Sequence, residues 1–423
     1  MHLARVQYDP ALDDGNMHAW HTRFTFQLLS MGWGLAKKDR TALLGPLVCK
    51  PACKGTTSTV VLDMPAAIRL YARGSRGPQE IASQIIRVAT PAAVERLFAV
   101  FDKASAMPKI RGLCSAERYS RIVPHTAEEE RELLEATKDA VHHLPARKKA
   151  VDYDAMFKPG KTKERMWAIM SAATWHAVAS RCKHMYAEVH GPVGEVHTVN
   201  GKSHSHGSAF NHTYQTETSG LGEADLATFR IAALEARGGR SVTLRSVDTD
   251  LILQTVASGT FDGTPFVPEE PFLLRLKTET IDGQALVDRF GSEDPSKRLS
   301  AAFWLIMAGG TDYSKPASDQ GYLKNALAQL AVGGSTPAFE VSAGKTTLLV
   351  AKILSALGKV KRRKTKDGGA SAGKKRAAPK PSRTLKTAIF EAARSTVYYG
   401  GICPTGVIPN HWSLAEQRVQ LLP

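Results

Sequence analysis

The first part of the chain alternates short apolar runs, typical of buried strands, with a stretch that is compatible with a helix. The runs TSTVVLD (57–63) and VERLFAVFD (94–102) are rich in β-branched and aromatic residues, and each ends in an aspartate. The helix-compatible stretch lies between them, near 79–88. A strand, a helix and a second strand in this order predict two parallel strands of one sheet, because parallel neighbours need a crossover connection.

The middle of the chain is more polar. A charged helix is predicted near 126–140, and we interpret the histidine-rich region from about 184 to 214 as an insertion or a long loop. His204, His206 and His212 are residues that can bind a metal, but no neighbouring Cys or His pair has the spacing of a structural zinc site. We therefore expect a polar loop in this region.

Apolar periodicity returns in the second half of the chain. In GEADLATFRIAALEAR (222–237), apolar residues recur at helical spacing behind two acids in the first turn, and a Gly-Gly pair follows. SVTLRSV then alternates as a strand that leads to Asp248, and SKRLSAAFWLIMAGGTDY (296–313) predicts a buried helix that breaks just before Asp312. The repeated alternation predicts an α/β fold with a central, mostly parallel sheet flanked by helices.

The composition fits a folded protein with a polyanionic partner. A chain of 423 residues with 43% hydrophobic residues can bury a substantial core, and no apolar run approaches the ~18 residues that span a bilayer. Lys and Arg outnumber Asp and Glu by 56 to 40, which gives a net charge of +16. The basic stretch 359–385 is rich in Gly, Ala, Ser and Pro, which predicts a disordered linker.

Cysteine usage and the N-terminal sequence indicate the compartment. Five cysteines form no disulfide framework, so we expect free or buried thiols. The first residues, MHLARVQYDPALDDG, lack the basic-then-apolar order of a secretory signal. We therefore expect the protein in the nucleus or the cytoplasm.

Seven acidic residues are predicted to converge at one edge of the sheet. Three follow predicted strands, two begin the helix near 222–237, and two lie in adjoining turns, and ligands bind at the carboxyl ends of strands in open α/β sheets. The seven are Asp63, Asp102, Glu223, Asp225, Asp248, Asp250 and Asp312. So many hard oxygen ligands, with no Cys or His among them, favour Mg²⁺ or Mn²⁺ over zinc. For any one aspartate taken alone, a helix cap or a turn is the competing interpretation.

The motifs that carry these acids resemble, in their order, those of the flap endonuclease family, the structure-specific 5′ nucleases that include the xeroderma pigmentosum G-type enzymes. The motifs are VVLDMPAAIRLYA, FAVFDK, GEAD, SVDTDLI and LIMAGGTDY. The resemblance implies a PIN-like sheet with a helical arch insertion, and two Mg²⁺ ions, replaceable by Mn²⁺, held by the seven acids. It also implies that Lys109 and Arg118, or Arg111 in place of Arg118, hold the scissile phosphate. A solvated helix face is the competing interpretation of these basic residues.

The resemblance covers roughly residues 31–330, with short motifs and poorly matched spacers. MGWGLAK at 31–37 resembles the start of those enzymes, so we interpret residues 1–30 as an N-terminal extension, with Met31 as the working start as the alternative. After Asp312, only Gly321 and an apolar helix remain of the family's helix-two-turn-helix element, which makes this region degenerate and puts the grip on duplex DNA in doubt. Divergence of this kind resembles viral relatives, some of which cut messenger RNA.

The remainder of the chain is assigned by composition. We predict a helical segment over 331–358 and a C-terminal segment over 386–423, in which no sliding-clamp motif is recognised. SAGKTTLL (342–349) contains a GKT, but a phosphate-binding loop needs Gly five positions before Gly344, where Phe339 stands. ATP binding is therefore not expected.

The sequence thus predicts a two-metal-ion phosphodiesterase, a monomer that binds nucleic acid and no membrane. Its expected reaction is cleavage of flapped or single-stranded DNA in replication, repair or recombination. Two alternatives stay open: an RNA endonuclease that degrades mRNA, and a catalytically inert, nuclease-derived nucleic-acid-binding or virion protein.

Overall fold

The computed structural model describes the parts of the chain that form two sheets and the helices around them. Described are residues 57–71, 77–102, 161–192, 194–200, 203–207, 224–246, 250–257, 270–276, 279–290, 294–311, 336–342, 345–358, 385–399 and 419–421, with the single positions 128, 131, 135, 322, 325, 326 and 329. The strands are β1 (Thr59–Asp63), β2 (Arg96–Val100), β3 (Tyr186–His190), β4 (Val196–Asn200), β5 (Ser203–Gly207), β6 (Val242–Ser246), β7 (Phe272–Leu276), β8 (Glu279–Asp282), β9 (Phe339–Ser342), β10 (Lys345–Leu348) and β11 (Val419–Leu421). The helices are α1 (Met64–Tyr71), α2 (Pro78–Ala89), α3 (Lys161–Arg181), α4 (Ala224–Arg237), α5 (Asp250–Ala257), α6 (Gly283–Phe290), α7 (Pro295–Gly309), α8 (Val350–Leu357) and α9 (Leu385–Tyr399).

The central sheet has eight strands in the order β5-β4-β3-β2-β1-β6-β7-β8. The five inner strands β3, β2, β1, β6 and β7 are parallel to one another, and β4, β5 and β8 are added in antiparallel pairing at the two margins. β1 lies between β2 and β6, in register from Thr59 to Asp63 with β2. The predicted α/β fold with a mostly parallel sheet is confirmed.

Helices cover both faces of this sheet, and each face has its own hydrophobic core. On one face, α4, α5 and α7 pack on the side chains of β1, β2, β6 and β7 that include Val61, Phe98 and Leu244. On the other face, α1, α2 and α3 pack on side chains from β1, β2 and β3 that include Leu62 and Leu97. Inner strands are buried on both faces because crossover helices lie on both sides of a parallel sheet.

A buried carboxylate fastens α4 to the sheet. Glu235 is 0% exposed, and its Oε2 lies 2.9 Å from Nε of Arg96 on β2 and 3.4 Å from a guanidinium nitrogen of Arg240. The hydroxyl of Thr59 on β1 donates to the same oxygen at 3.2 Å. The charge of Glu235 is therefore compensated by two cations and a hydroxyl, as a carboxylate removed from water requires.

The second sheet, in the order β11-β10-β9, is antiparallel and contacts α7. Hydroxyls of α7 satisfy the backbone of this edge: Oγ of Ser300 accepts from the N–H groups of Ala338 (2.9 Å) and Phe339 (3.2 Å). Phe339, α8 and α9 belong to the same core as α4, α5 and α7. Residues beyond 330 thus pack on the predicted nuclease domain.

Several predicted elements are confirmed within a few residues. The helices predicted near 79–88, 222–237 and 296–313 correspond to α2, α4 and α7. Gly310, with φ of 73°, ends α7 in the left-handed region, which glycine adopts without a steric penalty. Positions 128, 131 and 135 of the predicted charged helix are helical.

Two predictions differ from the structure. The region 184–214 was expected to be an insertion or a long loop, but it contains β3, β4 and β5, which extend the central sheet. The segment 331–358 was expected to be helical, but a β9–β10 hairpin precedes α8. Lys345 of the GKT sequence therefore lies in a strand.

Other predictions fall on residues that the structure does not describe. These are the extension 1–30, the motif at 31–37, most of the arch region after Asp102, most of the degenerate segment after Asp312, the linker up to residue 384, and the side chains of His204, His206 and His212. None of the described helices is both long enough and apolar enough to span a bilayer.

Candidate functional site

The carboxyl ends of β1, β2 and β6 meet at one edge of the central sheet, as parallel neighbours must. β1 ends at Asp63, β6 ends at Ser246, and Asp102 follows β2 by two residues. The prediction that Asp63 and Asp102 lie at this edge is confirmed, because β1 and β2 pair in parallel. This edge is where α/β folds place their ligand sites.

Asp63 is buried, with 4% of its surface exposed, and both of its oxygens are hydrogen-bonded. The N–H of Ala66 donates to Oδ1 at 3.1 Å, which caps the first turn of α1. The hydroxyl of Ser246 donates to Oδ2 at 2.6 Å, which joins the ends of β1 and β6. Each carboxylate oxygen has more than one lone-pair site, so these bonds leave room for a further partner.

Asp102 reaches across the edge to the start of α4. Its Oδ1 accepts from the N–H of Ala224 at 2.9 Å, so the end of β2 is tied to the residue that follows Glu223. The N-terminal N–H groups of a helix have no partner within the helix and attract a carboxylate. The V-F-D and G-E-A-D motifs, far apart in the sequence, are thus adjacent in the structure.

Asp225 lies in the first turn of α4 and connects it to α5. The N–H of Leu226 donates to Oδ1 at 2.8 Å, and the side-chain amide of Gln254 donates to Oδ2 at 3.1 Å. Asp250 is the first residue of α5 and is 7% exposed. We expected Asp250 in a turn, and its position at a helix start is instead the one in which an acid complements the helix dipole.

Four of the seven predicted ligands therefore lie at strand ends or helix starts that the structure describes. Asp63, Asp102 and Asp225 are each fixed by a hydrogen bond to a neighbouring element or cap. Glu223, Asp248 and Asp312, with Lys109, Arg111 and Arg118, lie outside the described residues. Among the residues that are described, no three His, Cys, Asp or Glu side chains group closely enough to hold a metal ion.

The chemistry of the described donors fits a hard divalent cation. The donors Asp63, Asp102, Asp225 and Asp250 supply carboxylate oxygens only. Mg²⁺ and Mn²⁺ prefer such ligands, and Mg²⁺ keeps several water molecules in its shell. A site built here would also draw on Glu223 and Asp248, which stand one position before Ala224 and two positions before Asp250 in the chain.

Sequence reasoning missed the residues that orient the acids. Ser246 fixes Asp63, and Gln254 fixes Asp225 from one turn beyond Asp250 on α5. Gln254 lies four positions after Asp250, and residues i and i+4 share a helix face. A polar residue at this spacing from an acid that begins a helix is a signal that the sequence alone offers. Ser246 gives no such signal, since its contact depends on β6 lying beside β1.

A buried polar group on β3 was also missed. Glu188 and His190 are 0% and 1% exposed, with Oε2 of Glu188 2.7 Å from Nε2 of His190. The hydroxyl of Tyr186 donates to Oε1 of Glu188. The backbone N–H of Phe101 donates to the carbonyl of His190 at 2.9 Å, so this group ends close to the Asp102 segment.

No protein-family model matches this chain, and no curated protein is similar enough to count as a match. The assignment of function therefore depends on the residues and on the geometry described above.

Proposed function

We propose that this protein is a Mg²⁺-dependent, structure-specific 5′ nuclease that hydrolyses phosphodiester bonds in flapped or single-stranded DNA. The observation that supports this function is the placement of three acids from three separate motifs: Asp63 and Asp102 at the carboxyl ends of two paired parallel strands, and Asp225 in the first turn of the helix that Asp102 contacts. The order of the motifs is the one that resembles flap endonucleases. The net charge of +16 favours a polyanionic substrate.

The seven acids would be shared between two metal sites. One ion would be held by Asp63, Asp102, Glu223 and Asp225, and the second would be completed by Asp248, Asp250 and Asp312. When bound, two such ions lower the pKa of an attacking water and stabilise the in-line transition state.

The chain's own residues would orient the ligands and neutralise the substrate. Ser246 and Gln254 hold Asp63 and Asp225 in fixed rotamers, so little conformational entropy is lost when they bind. Lys109 and Arg118 would face the phosphate and balance the charge that develops on it. Selectivity for 5′ ends over other nucleic-acid substrates would depend on how the strand reaches this edge of the sheet.

The test is cleavage of a labelled 5′-flap substrate by the purified protein with Mg²⁺. The double variant Asp248→Asn, Asp250→Asn keeps the shape of both side chains and removes two negative charges. We expect its cleavage rate to fall by about a thousandfold or more, because the ions supply several kcal/mol of transition-state stabilisation. Cleavage by the double variant at the rate of the unmodified protein would contradict the proposal.

Asp282→Asn is the matched control. Asp282 also ends a strand, and its Oδ1 caps α6 by accepting from the N–H groups of Gln284 and Ala285 at 2.9 and 3.2 Å. Because β8 is antiparallel to β7, Asp282 pairs with Leu273 near the amino end of β7, at the opposite edge of the sheet. This variant should cut as the unmodified protein does, and circular dichroism checks that all variants are folded.

RNA is tested in the same assay with matched RNA and DNA flaps. A preference for DNA above about tenfold, or ~1.4 kcal/mol, would exclude the RNA endonuclease alternative.

An inert nucleic-acid-binding protein is the second candidate function, favoured by the capping bonds of Asp63 and Asp102. These bonds give both acids a structural role without any metal. Titration with Mn²⁺, followed by electron paramagnetic resonance, separates the two. The nuclease requires Mn²⁺ binding that the double variant loses, whereas the inert protein requires none.

A further inference from the structure

A cleft opens on the face of the central sheet that carries α1 and α2, where these helices border β6 and β7. It is open to solvent and has a cavity volume of about 80 Å³. Its walls combine apolar side chains, such as Leu70, Ile85 and Val88, with the polar side chains of Tyr71, Arg245, Ser246 and Arg275. The cleft reaches the acidic edge through Ser246, whose hydroxyl donates to Asp63.

The apolar wall of this cleft is unusually exposed. Leu70 and Val88 are 36% and 40% exposed, and among the described residues only Leu354, on α8, is a further large hydrophobic side chain of this kind. Two of the three such side chains therefore lie in one cleft. Clustered apolar side chains with a polar rim are typical of a binding surface, whereas scattered ones need no explanation.

Two arginines stand side by side on the floor of the cleft. Arg245 on β6 is the register partner of Arg275 on β7, so their backbones are one strand spacing apart, or ~4.8 Å. Like charges directly opposite each other destabilise a sheet. Within the described part of the chain, neither guanidinium has a carboxylate partner.

Arg245 has donor capacity that no described residue uses. One of its terminal nitrogens donates to the carbonyl of Val88 in the last turn of α2, at 2.8 Å. Its Nε is buried, and no acceptor among the described residues contacts it. Burial lowers the pKa of Arg245 to about 10, and the charge of Arg275 acts in the same direction while Tyr71 opposes it. An anion placed between the two arginines would offset the repulsion between their charges and could accept a hydrogen bond from the Nε–H of Arg245.

We infer that this cleft binds one nucleotide of a single-stranded nucleic acid, with the phosphate on Arg275 and Arg245 and the base against Tyr71 and Leu70. Guanidinium groups bind phosphate through paired N–H donors, and aromatic and apolar surfaces accept any base by stacking. This cleft would be a substrate-binding part of the proposed nuclease, and the identity of its ligand rests on that proposed function. A strand held here would lie beside Asp63.

The experiment measures binding without cleavage. Fluorescence anisotropy of a labelled oligothymidylate is recorded in chelator over a series of salt concentrations, for the full-length protein and its variants. Arg275→Gln should weaken binding about fivefold to tenfold and lower the slope of log K against log salt by ~0.7, the value for one phosphate contact on a single strand. Tyr71→Ala should weaken binding about fivefold or more with the slope unchanged, because stacking is uncharged.

Matched variants make the result specific. Lys352→Gln removes one positive charge from an exposed position on α8, outside the cleft, and should leave the slope unchanged. Tyr71→Phe should retain the affinity that Tyr71→Ala loses. Absence of binding by the unmodified protein, or equal slopes for Arg275→Gln and Lys352→Gln, would overturn the site. Full affinity of Tyr71→Ala would overturn the base contact. Because binding is read without metal, a protein that binds in this way yet cuts no flap keeps the site and loses the proposed activity.

Discussion

β6 and β7 carry opposite chemistry on their two faces. Toward α4, α5 and α7 they present Val242, Leu244, Phe272 and Leu274, all 0% exposed. On the other face the same strands present the buried side chains of Thr243 and Leu273, and also Arg245 and Arg275, which line the cleft. Because side chains alternate along a strand, one register sends half of each strand into the core and turns the two arginines toward the cleft. Stability and the proposed binding thus depend on the same strands and differ only in the face toward which the side chains point.

Truncation of Phe272, on the core face of β7, should give the largest loss of stability. Phe272 packs edge-on against Phe229 of α4, with ring centroids 6.2 Å apart, and a Cβ added at Gly283 would lie only 2.4 Å from its ring. The ring is therefore enclosed on several sides. Phe272→Ala should lower the free energy of unfolding by about 4 kcal/mol, measured by urea denaturation.

Leu273 is the neighbour on the cleft side and provides the matched variant. It is 6% exposed and, among the described residues, belongs to neither of the two hydrophobic cores. Leu273→Ala should cost about 2 kcal/mol, the low end for a leucine, because water can enter the space that is left. Equal costs for the two variants would show that the two faces are equally closed.

The next largest effect concerns the charge that fastens the closed face. Glu235→Ala leaves Arg96 without its carboxylate beneath α4, where the Arg96 side chain is 19% exposed. We expect a loss of about 3 kcal/mol in the free energy of unfolding, the cost of breaking a buried ion pair from one side. Thermal or urea unfolding provides the measurement.

Glu128→Ala is the control for this variant. The Arg131–Glu128 pair, with N···O at 3.7 Å, has 73% of both side chains exposed, and its loss should change stability by less than about 0.5 kcal/mol. A similar small change for Glu235→Ala would mean that α4 is held by apolar packing alone.

The smallest effect tests how well α3 closes the other face over β2 and β3. Cys182 is fully buried, and burial raises its pKa from 9.0 to about 11, with Arg181 acting in the opposite direction. The folded state therefore binds the thiol proton more tightly than the unfolded chain does. This contribution is complete below pH 9 and is lost as the pH rises through about 11.

The comparison with Cys182→Ala isolates this titration from that of Lys and Tyr side chains. Between neutral pH and pH 11, the unmodified protein should lose about 2 kcal/mol more of its free energy of unfolding than the variant does. Rapid labelling of Cys182 by a thiol reagent in the native protein at neutral pH would contradict its burial.

The sequence predicted the elements whose apolar pattern is strong. α2, α4, α7 and the first two strands follow from periodicity, and the edge position of Asp63 and Asp102 follows from parallel pairing. β3 was not predicted because two of its buried positions are the polar residues Glu188 and His190, which satisfy each other in the core. A strand with this pattern resembles a polar loop until its partner contacts are known.

The missed parts of the candidate site share another cause. Ser246 contacts Asp63, and Arg245 pairs with Arg275, only because β6 is inserted between β1 and β7 in the sheet. Strand order is a property of the whole fold, and no local pattern around SVTLRSV encodes it. Asp250 was placed in a turn because the residues that follow it, Leu251, Ile252 and Leu253, are as apolar as those of a strand, although they form α5.

The hydroxyl of Ser246 lies at the boundary between the cleft and the acidic edge, since it lines one and donates to Asp63 in the other. In the proposed nuclease, a ligand that drew this hydroxyl toward the cleft would weaken its bond to Asp63 and change how strongly that carboxylate attracts a cation. Thermodynamic linkage would then require reciprocity: whatever factor a bound strand applied to the metal affinity, the metal would apply to the affinity for the strand. One serine would thus make substrate and cofactor allosteric effectors of each other.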